Sequence, residues 1–253
     1  MLSKKPWQAE GVLFFGAAMV ACYGLALIAA LLLHKSGLAG FKNPDDAGSA
    51  LFDMLGIEGP AWICIFVFLR QHHVNWRDAF GLRGPDLKRS LLFAMGTVAV
   101  ALPVIWVLQI CSAAALEKTG VPVESQRVVE MFLGNGSVWF RVAFGTIAVL
   151  IVPGAEEFIF RGMLYPFVKQ LGSPRAAFFG VNAIFAAIHF DAGTFVPLFA
   201  LALALTWLYE KTDNLLAPIA AHSLFNAANL ALLCFQEPLD QFLRNLPSFL
   251  HFQ

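Results

Sequence analysis

Charge is what this sequence has least of. Only 13% of its 253 residues are Asp, Glu, Lys or Arg, against roughly 25% in a soluble domain. The 17 basic and 17 acidic side chains cancel, so no strong global field exists to attract nucleic acid. Cysteine is scarce too, at 4 residues with no Cys-x-x-Cys pair, which argues against a disulfide scaffold or a thiolate metal framework. Cys22, Cys64, Cys111 and Cys234 fall inside or at the ends of apolar runs and read as small buried hydrophobes. No His-Glu-x-x-His is present, so the zincin route is closed. Nor is there a Gly-x-Gly-Asp for an intramembrane aspartyl site, and Ser137, at a helix start, has no placed histidine partner. Internal repeats, low-complexity tracts and a separate soluble domain are missing as well.

Apolar residues fill the space that charge leaves. Hydrophobic side chains make up 58% of the chain, with 25 Phe, and the mean hydropathy is +0.69. Such a chain does not stay solvated and disordered. It reads as all-α: a polytopic transmembrane helix bundle, one integral-membrane domain over 1–253. A crossing helix needs ~20 apolar residues to cover ~30 Å of hydrocarbon. Candidate spans, about seven, are 11–33, 56–69, 91–116, 138–168, 175–190, 194–209 and 215–235. Asp53 and Glu58 crowd the start of the second, where Pro60 suits a first helical turn. The fourth is too long for one straight crossing, and Pro153-Gly154 marks the place for a kink. The first is too long for a signal-peptide core and shows no cleavage site, so it is expected to remain as an anchor.

Loop Lys and Arg orient such a bundle. One side holds ten: Lys4, Lys5, Arg70, Arg77, Arg83, Lys88, Arg89, Lys169, Arg175 and Lys211. The other holds five: Lys35, Lys42, Lys118, Arg127 and Arg244. The excess places the N-terminus in the cytoplasm and, after seven spans, the C-terminus outside. Compactness and the absence of retention signals point to a bacterial inner membrane. Within the N-terminal helices, residues 1–137, the stretch 70–90 carries Trp76, Phe80 and five basic residues. It is expected to lie as an amphipathic loop along the cytoplasmic interface. The stretch 238–253 shows a weaker version of the same spacing.

The polar residues left inside the spans carry the functional reading, because ionisable groups in hydrocarbon are costly and face a cavity or one another. They are Glu156, Glu157, Arg161, His189, His222 and Asn226, all within 138–230. Glu157 and Arg161 stand four apart and share a helix face, so they form the natural ion pair. Glu156 is rotated by ~100° from Glu157, which leaves it free to point elsewhere. His222, Asn226 and Asn229 form one stripe of their helix, as do Asn182, Phe185 and His189 of theirs. Glu156 and His189 lie at similar distances from the turn between their helices, so an antiparallel hairpin sets them level. His34, His72 and His73 fall in loops and Asp191 at a turn or cap, while Arg141 reaches for the interface.

Two carboxylates, an arginine, two histidines and an asparagine exceed what helix packing requires. Peptide hydrolysis without a covalent intermediate needs a base for water and donors for the oxyanion. Glu156 suits the base, His189 can share the water or protonate the leaving amine, and His222 with Asn226 can point at the carbonyl oxygen. One carboxylate and two histidines also resemble an open zinc site, with Glu156, His189 and His222 as its ligands. The Glu156, Glu157, Arg161 set carries one negative charge in excess, which a proton, a charged histidine or a metal must offset.

Glu156-Glu157…Arg161-Gly162, Phe185…His189 and His222…Asn226, each on its own apolar span, resemble the motifs of the CPBP family. That family includes CAAX-type prenyl endopeptidases, bacteriocin-processing or self-immunity proteins and myxosortase-like sorting proteases. The resemblance implies an intramembrane endopeptidase with Glu156 and His189 activating water and His222 and Asn226 as oxyanion donors. Glu157 and Arg161 are then supporting residues. Spacing favours a glutamate-type protease without a cofactor, zinc being the alternative. The interval between the second and third motifs holds one helix, 194–209, so the chemistry is implied more firmly than a prenylated substrate. The expected partners are a membrane-associated peptide or protein substrate and the lipid bilayer. Two competing readings are an ion-coupled transporter, which expects a repeat that the sequence lacks, and a non-catalytic immunity or scaffold protein.

Overall fold

A computed structural model describes residues 2–38, 41, 47–80, 87–119, 132 and 137–244, with side chains to Phe235 in the last helix. Its elements are α1 (Ala9–Ser36), α2 (Ala47–Gln71), α3 (Trp76–Ala79), α4 (Leu87–Lys118), α5 (Val138–Gln170), α6 (Pro174–Ala187), α7 (Ala192–Thr212) and α8 (Leu216–Arg244). No strand occurs among the described residues. Six helices are long and apolar enough to cross a membrane: α1, α2, α4, α5, α7 and α8. Their outer faces keep Leu13, Val20, Val100, Ile110 and Phe235 exposed, as a lipid-facing surface requires. The molecule is an integral membrane protein.

The expected fifth span is shorter than the sequence suggests. The apolar run 175–190 gives a helix of only 14 residues, ~21 Å at 1.5 Å per residue and short of the ~30 Å hydrocarbon core. Phe190 takes a left-handed φ of 52°, and Asp191 then starts α7 by accepting the Gly193 amide at 2.8 Å. Apolar composition continues through this turn, so hydropathy alone does not see the break.

α5 opens at two places, and proline chemistry explains both. It is α-helical at Val138–Thr146 and Val152–Glu157, with wide π-type turns at Ile147–Ile151 and Phe158–Leu164. Pro153 and Pro166 have no N–H to give. The carbonyl of Ala148, five residues before Pro153, instead receives Asn226 Nδ2 at 2.9 Å. The carbonyl of Gly162, four before Pro166, receives Trp7 Nε1 at 2.6 Å. α8 and the N-terminal segment are therefore bonded to α5 where its own ladder is broken. The short turn held between the two openings carries Glu156 and Glu157.

The core around α5 is aromatic. Phe80 stacks on Phe158 at 5.3 Å and on Trp62 at 5.9 Å, and Phe158 is fully buried. Phe80, within the stretch 70–90, thus packs onto the bundle core. Lys42, Arg83, Arg127 and the side chains of 238–253 lie outside the described residues. His72 is more than a loop residue: its Nδ1 donates to Phe68 O at 2.8 Å and its Nε2 accepts the Gln8 amide at 3.0 Å. Gly11 allows this approach, since a Cβ there would lie 2.4 Å from His72 Cε1. Lys5–Asp213 at 3.2 Å, Lys169–Glu210 and Gln8–His72 gather the N-terminal segment and the ends of α2, α5 and α7 at one end of the bundle. The cysteines divide: Cys64 is buried and Cys22 half-buried, while Cys111 and Cys234 stand on the outer faces of their helices beside the exposed Ile110 and Phe235.

Candidate active site

Arg161 is the fixed point of the site. It and Glu157 are both fully buried and pair at 3.0 Å through Nη1 and Oε1, with the four-residue spacing that the sequence shows. Arg161 Nε donates to Thr206 Oγ1 at 3.3 Å, and Nη2 donates to Asn182 Oδ1 at 3.3 Å and Ala202 O at 3.0 Å. Its guanidinium lies 4.6 Å from the Phe185 ring centroid. Thr206 closes the network by donating to Asn182 Oδ1 at 2.8 Å. One cation thus joins α5, α6 and α7, and its charge-assisted bonds offset the cost of burying it. Asn182 was visible in the α6 stripe. Thr206 was not, because a lone threonine in an apolar helix carries no distinguishing signal.

Glu157 passes this rigidity to His222. Its Oε1, already accepting from Arg161, lies 2.8 Å from His222 Nδ1. A carboxylate oxygen receiving an arginine proton acts as acceptor here, so Nδ1 is the protonated nitrogen. His222 Nε2 then faces Glu156, whose Oε2 is 3.7 Å away, beyond direct hydrogen bonding. The two carboxylates differ sharply in access: the Glu156 side chain is 20% exposed and Glu157 is sealed. Glu157 Oε2 has no hydrogen-bond partner among the described residues.

His189 is oriented by backbone. Its Nδ1 lies 2.8 Å from Phe185 O, and since a carbonyl only accepts, Nδ1 carries the proton and Nε2 is left to act. Phe185 floors the site, with its ring 5.1 Å from His189 and 6.1 Å from His222. His222, His189, Glu157 and Arg161 are all ionisable neighbours of Glu156. Five of the six sequence-derived residues therefore converge. Asn226 stands one turn from His222 on α8 and spends one Nδ2 bond on Ala148 O, with a second N–H remaining on that nitrogen. Asn229, in the same stripe, accepts from Trp106 Nε1 at 2.9 Å and ties α8 to α4.

Two points complete the geometry. Among the described residues, no three His, Cys, Asp or Glu side chains are arranged to hold a metal ion. In the trio Glu156, His189 and His222, each histidine is bonded through Nδ1, to Phe185 O and to Glu157, which leaves Nε2 as its ligating nitrogen. Glu58 also lies closer to the site than its place at a crowded span start suggested. It is 8% exposed and near enough to Glu156 for the two carboxylates to repel. An acidic residue inside an apolar run was the available signal.

Residues 137–228 match the family model described as Type II CAAX prenyl endopeptidase Rce1-like. The UPF0177 protein YxdF of Lactococcus lactis subsp. lactis (strain IL1403) is 28% identical over 102 residues, 39% of this chain and 52% of the relative. The chain thus spans about half the length of the curated relative it matches. No solved structure matches it significantly. Every residue from Glu156 to Asn226 that builds the site lies inside the matched segment, so the similarity to the Rce1-like type II CAAX prenyl endopeptidase model covers the whole of it.

Proposed function

We propose that the protein is an intramembrane endopeptidase cutting near the terminus of a membrane-associated peptide or protein. Water attacks the scissile carbonyl directly, with no covalent intermediate. Glu156 takes the water proton while His189, held by Phe185 O, accepts a hydrogen bond from the same water at Nε2, and the proton taken by Glu156 then passes to the leaving amine through His189 Nε2. His222 Nε2 and the remaining Asn226 N–H stabilise the oxyanion. The observation that carries this reading is the asymmetry of the glutamate pair. Glu157 is sealed and saturated on one oxygen by Arg161 and His222, while Glu156 is open and faces His222 Nε2.

Charge sets a requirement on the same assignment. Glu156 and Glu157 leave one negative charge beyond Arg161, and oxyanion donation from His222 Nε2 requires a proton there in addition to the one that Nδ1 shares with Glu157. In this proposal Glu156 and His189 activate the water. Substrate entry from the bilayer and a cytoplasmic N-terminus belong to the same proposal, the latter supported by the basic end at which Lys5, Lys169 and Lys211 gather.

The test uses the full chain in lipid nanodiscs with a fluorogenic peptide ending in a prenylated CAAX sequence. Glu156→Ala and His189→Ala should each abolish turnover while far-UV circular dichroism and membrane insertion stay as in the wild type. Turnover surviving in either variant sinks the assignment. Full biological function retained by Glu156→Gln would favour the non-catalytic reading.

A further inference from the structure

On the outer face of the bundle, α4 and α7 part to leave an apolar groove. It holds about 670 Å³, and Phe93, Gly96, Val100, Ala200, Ala204 and Trp207 are among its lining residues. Small residues make its floor. Ala200 and Ala204 stand four apart on one stripe of α7, and a Cβ added to Gly96 would meet nothing within 4 Å. Phe93, Val100 and Trp207 stand exposed along the rim, so the groove opens to the bilayer. Ala202 and Thr206, which serve Arg161, lie two positions from Ala204 and so on the opposite side of α7. Along α4 the lining runs from Leu92 to Ile105, roughly 20 Å at 1.5 Å per residue. That is a little more than one leaflet of a ~30 Å hydrocarbon core.

One end of the groove is basic. A Cβ on Gly193 would lie 3.5 Å from Leu116 Cδ1, so the start of α7 meets the end of α4 and the two helices run antiparallel. Arg89, near the start of α4, and Lys211, near the end of α7, therefore flank the same end. Each cation sits over a ring of the lining. The Arg89 guanidinium is 5.6 Å from the Phe93 centroid, and Lys211 Nζ is 5.9 Å from that of Trp207. Lys88, exposed beside Arg89, adds a third positive charge. The acids next to Lys211 in sequence are engaged elsewhere, Glu210 by Lys169 and Asp213 by Lys5.

We propose that this groove binds an anionic phospholipid. One acyl chain lies on Gly96, Ala200 and Ala204, and the headgroup phosphate sits between Arg89 and Lys211. Charge complementarity selects this occupant. A guanidinium and an ammonium bind phosphate well, and a tryptophan at the mouth suits headgroup level. A zwitterionic lipid brings the same phosphate with a cation that the basic cluster repels, and an apolar substrate tail gives the cluster nothing to bind. The bound lipid braces α7 on the side opposite the Arg161 network. This site stands whether or not the protein is a protease.

The experiment titrates the full chain in dodecyl maltoside micelles with dioleoyl phosphatidylglycerol or dioleoyl phosphatidylcholine and reads the first bound lipid by native mass spectrometry. The wild type should bind phosphatidylglycerol with a Kd about tenfold or more below that for phosphatidylcholine, since each cation near an anionic headgroup is worth about fivefold. Arg89→Gln/Lys211→Gln should abolish most of that preference and leave phosphatidylcholine within about twofold. Gly96→Leu puts a side chain into open space and replaces glycine with a better helix former. Its unfolding midpoint should not fall, and it should weaken both lipids about tenfold. Equal affinity of the wild type for the two lipids overturns the site. So does a preference that survives Arg89→Gln/Lys211→Gln, or a folded Gly96→Leu that binds phosphatidylglycerol as the wild type does. The charge variant alters only exposed side chains and decides the matter if Gly96→Leu does not fold. A farnesylated CAAX peptide is the competitor. If it displaces phosphatidylglycerol and its own affinity falls in Gly96→Leu but not in the charge variant, the groove holds a substrate tail and the phospholipid assignment is wrong.

Discussion

Replacing Arg161 with methionine removes the cation at the centre of the site while keeping most of its volume. What remains is a fully buried Glu157 carboxylate whose sole polar partner among the described residues is His222. Asn182 Oδ1 keeps the Thr206 bond, whereas the Ala202 carbonyl loses the guanidinium. Breaking a buried pair by removing one member costs about 3–5 kcal/mol, because the other charge is left uncompensated. Glu157→Gln alone strands the cation in the same way and is expected to fall in the same range. The double variant Glu157→Gln/Arg161→Met leaves neither charge, and its glutamine oxygen still accepts His222 Nδ1–H. Its cost should shrink to the lost hydrogen bonds, about 1–3 kcal/mol. A double-mutant cycle in mixed micelles, unfolded reversibly with SDS and followed by tryptophan fluorescence, reads the coupling directly. If Arg161→Met costs under about 1 kcal/mol, or if the two single costs simply add, the claim that this pair holds α5, α6 and α7 together is wrong.

Three further outcomes follow from the proline breaks and the packing on Gly154. Trp7→Phe should destabilise by about 1–3 kcal/mol by orphaning the Gly162 carbonyl, and Pro166→Ala should recover much of that loss by restoring an amide donor; equal costs in both backgrounds would refute the pairing. Asn226→Ala should cost stability and lower kcat by about 10²–10³. Adding Pro153→Ala should rescue its unfolding midpoint but not its turnover, and joint recovery would deny Asn226 any part in catalysis. Gly154→Ala should overpack against Trp62 and cost about 1–3 kcal/mol in an unfolding titration, a penalty that Trp62→Phe relieves; a neutral Gly154→Ala would mean that α2 does not close on the turn.

The sequence carried those parts of the site that depend on one helix at a time. The Glu157–Arg161 spacing, the His222–Asn226 stripe and the level placement of Glu156 and His189 all follow from 3.6 residues per turn. Contacts across helices were less legible. Nothing local marks Thr206 as a partner of Arg161, Trp7 as a donor to Gly162, or His72 as the acceptor that starts α1. The apolar run 175–190 overstates the length of α6 because Phe190 is apolar, and only its left-handed backbone shows that the helix has ended. Pro153-Gly154 pointed to a kink. The observed pair of wide turns needs donors from Asn226 and Trp7, which lie 78 and 155 residues from the carbonyls they serve.

Those distant donors also explain how a membrane helix can hold a half-buried carboxylate, that of Glu156, in place. In hydrocarbon an unpaired carbonyl is costly, so a proline break persists only where another element supplies a donor. Each break in α5 is therefore also a docking point, Asn226 fixing α8 at one side of the Val152–Glu157 turn and Trp7 fixing the N-terminal segment at the other. The turn between them is positioned from both ends, and Arg161 locks it against α6 and α7. Glu157 absorbs that constraint, with its carboxylate bonded to Arg161 and His222. Glu156, one residue earlier and rotated away, inherits the position without the bonds. In the proposed mechanism two adjacent glutamates thus divide the work: one is immobilised so that the other can stay open to substrate. Exchanging them in sequence would not exchange these roles, because the four-residue spacing to Arg161 belongs to position 157 alone.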